Sequence, residues 1–237
     1  MRICNYEKTR GPEDQPILIV GDSRSKNVKN IREVLDKNHL IYNSIIIPIK
    51  YYTEKYLNKH KYKLTECFND KEDIFRYVNA IEDSNDKKGL NTDTEKEKLY
   101  NLKDEVYDEN NEFKYRIIIS LGDFAYFAVR VVLNRYEGKE QHRYSSRAKN
   151  KYDIKTLGEH FNRNSKIDVE KDIYILPILH NISNRINDID KLIEFIPKDK
   201  RENYISYYCY IGECLGKILV NDIIKKEKYK NYLHNIS

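Results

Sequence analysis

Four short apolar runs punctuate the chain: Ile17–Val20 (ILIV), Ser44–Pro48 (SIIIP), Ile117–Leu121 (IIISL) and Ile173–Pro177 (IYILP). Each is continuous rather than alternating, the pattern of strands buried on both faces of a parallel sheet. Positions at helical spacing separate them. Val28, Ile31, Val34 and Leu35 follow the first run. After the third, the stretch GDFAYFAVRVVLNRY predicts a helix capped by Asp123, with Phe124, Phe127, Ala128 and Val131 turned inward. Ile186, Ile189, Leu192, Ile193 and Ile196 follow the fourth run, and Ile205, Tyr208, Leu215, Ile218 and Leu219 mark a closing helix over about 204–226. This alternation predicts a single α/β domain over residues 1–237, a three-layer α/β/α arrangement around a central four-stranded parallel sheet. A polar insertion at about 51–116 would join the second and third strands.

In such sheets ligands bind beyond the carboxyl ends of the strands, where the strand order reverses. Three of the four strand ends are polar: Gly21-Asp22-Ser23-Arg24, Ser120-Leu121-Gly122-Asp123 and His180-Asn181-Ile182-Ser183. The topology brings all three to one edge. Ser23 on a sharp corner could be a nucleophile if the fold supplied a base and an oxyanion hole. Serine esterases with a Gly-Asp-Ser block also carry Gly-x-Asn-Asp and a late Asp-x-x-His, and neither is present. The alternative is structural: Gly21 permits a tight turn, and Ser23 or Ser25 caps the next helix. His180 likewise reads as a loop histidine satisfied by local backbone, or as a site residue paired with the Gly-Asp-Ser corner.

Composition narrows the classes. The chain has 237 residues, 34% charged and 40% hydrophobic, enough for a core and with no run near the roughly 18 apolar residues of a membrane helix. No apolar stretch resembling a secretory signal opens it, so a cytoplasmic protein without a membrane partner is expected. Cys4, Cys67, Cys209 and Cys214 match no zinc or iron–sulfur spacing, so no metal or cofactor is expected. The formal charge is +5. Heavy use of Lys, Asn, Ile and Tyr is what an AT-rich genome imposes, so that sum alone is poor evidence for a nucleic-acid partner. Its distribution says more. Residues 82–112 hold eleven acidic and five basic residues, which leaves a net +11 on the remainder, where the motifs lie. Lys26, Lys29, Arg143, Arg147 and Arg185 are the candidate phosphate contacts there.

Taken in order, PILIVGDSRS with NIREVLDKNHLIYNSIIIPIKYY, then RIIISLGDFAYFAVRVVL, then IYILPILHNIS resembles the uracil-DNA glycosylase superfamily over about 110 residues. Leu121, Gly122 and Ala125 match a Leu-Gly-x-x-Ala pattern common there. The resemblance implies a glycosylase-like fold that flips a nucleotide into a pocket at the sheet's carboxyl edge. It places Asp22, the one carboxylate of its loop, where an acid positions water or stabilises the cationic sugar. Ser23 falls where other branches carry the catalytic Asp. His180 falls where a histidine stabilises charge on the departing base. Gly21, Ser23, Pro48, Gly122, Asn181 and Ser183 would line the base pocket, and Arg24, Lys26, Arg143, Arg147 and Arg185 would approach DNA. Departures are visible: Asn181 replaces a Pro, Ser183 comes one residue late, and Pro48 stands near the place of a strand-end Asn that reads the base. The expectation is a divergent DNA glycosylase. The alternatives are a catalytically silent DNA- or protein-binding module on the same scaffold, and a Ser23 hydrolase.

Overall fold

The structure is a computed structural model that describes residues 9–10, 16–23, 41–64, 75–81, 99–135, 153–168, 170–180, 192–223 and 233–235. Its centre is a sheet of β1 (Thr9–Arg10), β2 (Ile17–Ser23), β4 (Phe75–Ile81), β5 (Ile117–Leu121) and β6 (Tyr174–Ile178) in the order β1-β4-β2-β5-β6. The last four pair in parallel, and the two residues of β1 add an antiparallel edge. A separate antiparallel pair joins β3 (Tyr62–Leu64) to β7 (Leu233–Asn235). The helices are α1 (Ile47–Lys59), α2 (Tyr100–Val106), α3 (Gly122–Val132), α4 (Ile154–Asn164) and α5 (Tyr207–Asn221).

Each parallel strand is buried along nearly its whole length, as continuous apolar runs require when both faces are covered. The register sets Ile17, Ile117, Tyr174 and Phe75 side by side, and Leu18, Ile118, Ile175 and Arg76 in the next row. Pro177 is tolerated because β6 is an edge strand among the described residues, where a missing N–H need not break a ladder on both sides.

Two buried ion pairs tie helices to the sheet. Arg76 at the start of β4 pairs with Glu105 of α2, which also accepts from the Tyr115 hydroxyl. Arg116, just before β5, reaches Asp222 at 2.7 Å, just past α5. At its other end α5 meets β6, where the Tyr207 hydroxyl accepts from the Leu179 N–H at 2.7 Å. The last helix therefore runs antiparallel to the strands. It packs on α1, with Gly212 against Tyr52 and Gly216 against Tyr56. α2 and α3 touch each other and pack on the sheet, α4 packs on β6, and α1 packs on α5.

Three of the four expected strands form where the pattern puts them, though β2 extends through Ser23 and β6 is shifted by one residue. The second does not form. Residues Tyr42–Ile46 make a π-helical turn that runs straight into α1. Pro48 has no N–H to give back to that turn, and the Ser44 carbonyl four residues before it accepts from the Tyr208 hydroxyl. Ile45, Ile49, Thr53 and Leu57 then recur every four residues as its buried stripe. A five-residue apolar run does not by itself distinguish a strand from a buried helical turn.

The second parallel strand is instead Phe75–Ile81, inside the segment read as a polar insertion. Arg76 and Asn79 interrupt its apolar character. Arg76 can nevertheless be buried because Glu105 compensates its charge.

The helix over 122–132 buries Phe124, Phe127, Ala128 and Val131 as expected, but Asp123 is not its cap. Leu121 holds that position with no side-chain hydrogen bond, and Asp123 lies in the first turn. The closing helix is shorter than its pattern, capped by Ser206 through the Cys209 N–H, so Ile205 lies outside it and is 81% exposed. Of the run after the fourth strand, Leu192 and Ile196 are buried around a 3-10 turn at Ile193–Phe195. Ile186 and Ile189 lie outside the described residues, as does the helix expected at Val28–Leu35.

Asp153 caps α4 by accepting from the Thr156 N–H at 2.7 Å, and that bond holds its carboxyl below the ordinary Asp range. A lowered folded pKa means the cap contributes fully above the ordinary Asp value and is lost as pH falls below it. Asp153→Ala is expected to cost about 1 kcal/mol at neutral pH, with the difference from wild type closing on acidification. Urea melts at neutral and acidic pH check this.

Candidate active site

The chain passes from β2 out to β4, back across β2 to β5, and on to β6. The strand order therefore reverses between β2 and β5, and the crevice beyond their carboxyl ends is where an open α/β sheet places a ligand.

Register brings Asp22 and Gly122 to one level at that edge, and His180 lies one residue beyond that level. Val20 pairs with Ser120 and Leu121 with Ile178. Two residues further along β2 is Asp22, half-buried, and it falls level with Gly122, where β5 gives way to α3. His180, half-buried, lies two residues past the end of β6. Two strand spacings separate the Asp22 and His180 backbones, roughly 10 Å. Gly122 lies between them and presents no side chain.

The glycine is required. Its φ is +86°, a conformation that side chains strain to adopt, and an added Cβ would stand 2.9 Å from the His180 Cβ. From behind, the Tyr207 hydroxyl anchors the Leu179 N–H, the residue before the histidine. His180 is thus held between a bare backbone turn and an anchored strand end. Gly122→Ala is expected to cost about 1–2 kcal/mol from the left-handed backbone alone and to displace the imidazole. Thermal melts and the His180 ring resonances in NMR spectra check the two effects separately. The α3 N-terminus opens at the same point without a side-chain cap, so its first N–H groups face this end of the sheet, while Asp123 in that turn offsets part of their positive end.

On the other side of β2, two residues that sequence reasoning missed join the edge. Gly21 is part of the strand, not a turn: among the described residues the one glycine with a positive φ is Gly122. What Gly21 provides is space. A Cβ there would collide with the Tyr77 hydroxyl and the Asn79 Oδ1 of β4, at 1.9 and 2.7 Å. The two side chains meet over the glycine, the Tyr77 hydroxyl 3.0 Å from Asn79 Oδ1. Burial pushes the Tyr77 hydroxyl far above the ordinary tyrosine value, and the Asp22 charge adds to the effect. The only signal for this pair lay in Phe-Arg-Tyr-Val-Asn-Ala-Ile, a strand whose polar residues hid it.

Of the remaining expected site residues, Ser23 ends β2, level with Ile81. Pro48, placed by its pattern at a strand end, lies instead in α1. Asn181, Ser183, Arg24, Lys26, Lys29, Arg143, Arg147 and Arg185 lie outside the described residues. Among the described residues no three His, Cys, Asp or Glu side chains gather to hold a metal, and no helix is long and apolar enough to cross a membrane.

The arrangement offers a carboxylate and an imidazole at one end of the sheet, with an open glycine between their backbones and an amide on the outer flank. The chain matches no protein-family model and no curated protein sequence, so it is this edge geometry that carries a functional reading.

Proposed function

We propose that the carboxyl edge of the sheet is the active site of a divergent DNA glycosylase. The observation that carries the reading is that Asp22 falls level with Gly122 at the strand-order reversal and that His180 stands against the same glycine. Hydrolysis of an N-glycosidic bond breaks C1′–N. The electron pair leaves with the base, the sugar becomes a cation, and water adds its oxygen to C1′ while its proton departs. The reaction asks for negative charge beside the sugar and a donor beside the base. Asp22 serves the first role and takes up the water proton; His180 serves the second.

The strand correction improves the fit. The family resemblance calls for an asparagine near the end of the second parallel strand. Pro48 was a poor occupant of that place, but the strand that forms carries Asn79. Asn79, rather than Pro48, is the residue we assign to the edge of the bound base. A net +11 outside residues 82–112 suits a polyanionic partner.

The test is base release from single- and double-stranded DNA carrying a panel of modified bases, scored by cleavage at the resulting abasic sites. Appearance of abasic sites for at least one base supports the reading. DNA binding that weakens with salt, without release of any base, would instead identify the silent DNA-binding module. Neither binding nor release would direct attention to a protein partner.

A further inference from the structure

The helix α1 carries a second surface, which the carboxyl edge does not use. Its buried side is Ile49, Thr53 and Leu57. On the outward side Ile47, Tyr51, Lys55 and Lys59 recur every four residues, and all four are exposed. Tyr51 is 58% exposed, and its ring stands at 79° to that of Tyr52, with the centroids 5.1 Å apart. Residues 41–64 hold five lysines and one glutamate, a net +4 beside the formal +5 of the whole chain. A general bias toward lysine does not produce that excess. What sets the stretch apart is its lack of acids, 38 in the chain and one here. Lys55, Lys59 and Lys61 enter no ion pair among the described residues. Lys61 also has a φ of 62°, a left-handed conformation that glycine or asparagine adopts more easily. Its N–H closes the helix on the Asn58 carbonyl at 3.0 Å, which a glycine would do with less strain.

Contacts between α1 and α5 give the stripe its direction. The Tyr208 hydroxyl donates to the Ser44 carbonyl, and Gly212 and Gly216 face Tyr52 and Tyr56. α1 therefore runs the same way as α5, from the end of the sheet that holds His180 toward the opposite end. Its 13 residues span about 20 Å. We propose that this face of α1 binds a single strand of DNA, with a base stacked on Tyr51 and the phosphates led along Lys55, Lys59 and Lys61. A lone strand offers both an unstacked base and a line of phosphates. A duplex hides the faces of its bases, and an acidic protein answers the lysines but not the ring. A membrane surface suits the face poorly, because the apolar side of α1 is already buried in the core. The contact rests on α1 alone; the active-site reading supplies only the end from which the strand arrives.

The full chain is titrated with fluorescently labelled oligo(dT) at several salt concentrations. Tyr51→Ala is expected to weaken binding about tenfold without changing its salt dependence, and Tyr51→Trp should restore it. A matched DNA duplex should be nearly insensitive to Tyr51→Ala. Lys55→Gln, Lys59→Gln and Lys61→Gly combined should lower the slope of log affinity against log salt by about 2, at about 0.7 for each phosphate contact to a single strand. Lys61→Gly alone should not lower the melting temperature, since it relieves a left-handed backbone, so weaker binding by that variant is not lost folding. A wild type that fails to bind oligo(dT), or variants that bind it with the wild-type affinity and slope, overturn the proposal. Polyglutamate bound as tightly as oligo(dT) overturns it too, and would assign the face to an acidic protein partner. Absence of base release, with the α1 variants still weakened toward oligo(dT), leaves the strand contact standing and removes the glycosylase reading.

Discussion

Asp22→Asn is expected to slow base release by about 10²–10³-fold, the usual consequence of removing one preorganised electrostatic partner from a transition state. The effect should be nearly the same whichever base departs, because the carboxylate faces the sugar cation and the sugar does not change. His180→Ala should behave differently. Its donor stabilises charge on the leaving base, so the loss should be largest for bases that leave poorly and should shrink for bases that leave well. Plotting the two variants' rates against leaving-base acidity separates the roles. Parallel lines for Asp22→Asn and wild type, with a steeper dependence for His180→Ala, are the expected pattern. The placement of the two groups on either side of Gly122 is what assigns one to each side of the breaking bond. DNA affinity of Asp22→Asn should not fall, since removing a negative charge cannot weaken binding to phosphates.

Glu105→Ala should be the most damaging structural change. Glu105 neutralises Arg76 and accepts from Tyr115 in the core. Its removal takes the Glu105 carboxylate from a guanidinium at the root of β4 that is 8% exposed, and breaking such a buried pair costs about 3–5 kcal/mol. That is a large share of the roughly 5–15 kcal/mol by which domains are stable. Replacing both partners by apolar residues of similar size, Arg76→Met with Glu105→Leu, should recover most of the loss, because both charges of the pair are then removed together. Chemical denaturation of wild type, single and double variants measures this. A single variant within 1 kcal/mol of wild type would show that water reaches the pair. The consequence extends to function, since β4 carries Tyr77 and Asn79: partial loss of the strand should blunt base discrimination before it abolishes folding.

The same pair explains why part of this fold was hidden from a reading of the pattern alone. Ile17–Val20, Ile117–Leu121 and the run at 173–177 are uninterrupted and apolar, and each proved to be a buried parallel strand. Phe75–Ile81 is equally buried, but a charge and an amide break its pattern. A partner nearly thirty residues away, Glu105, helps make the charge acceptable. The opposite error arose at residues 44–48, where three consecutive isoleucines suggested a strand and the proline suggested its end. Continuation of the apolar positions at 49, 53 and 57 marks the helix that forms. The site followed suit. Asp22, Gly122 and His180 were legible because they terminate clean strands. Tyr77 and Asn79 were not, because their strand was missed, and Gly21 was assigned to a turn when its task is to leave room for them.

The central claim, that Asp22 and His180 flank a breaking N-glycosidic bond, is tested most directly by single-turnover base release from the DNA panel, with wild type and Asp22→Asn compared at saturating protein. The account predicts abasic-site formation on at least one base by the wild type and a rate at least a hundredfold lower for Asp22→Asn, with DNA binding retained. Equal rates for the two proteins, or no release by the wild type from any DNA it binds, would contradict it.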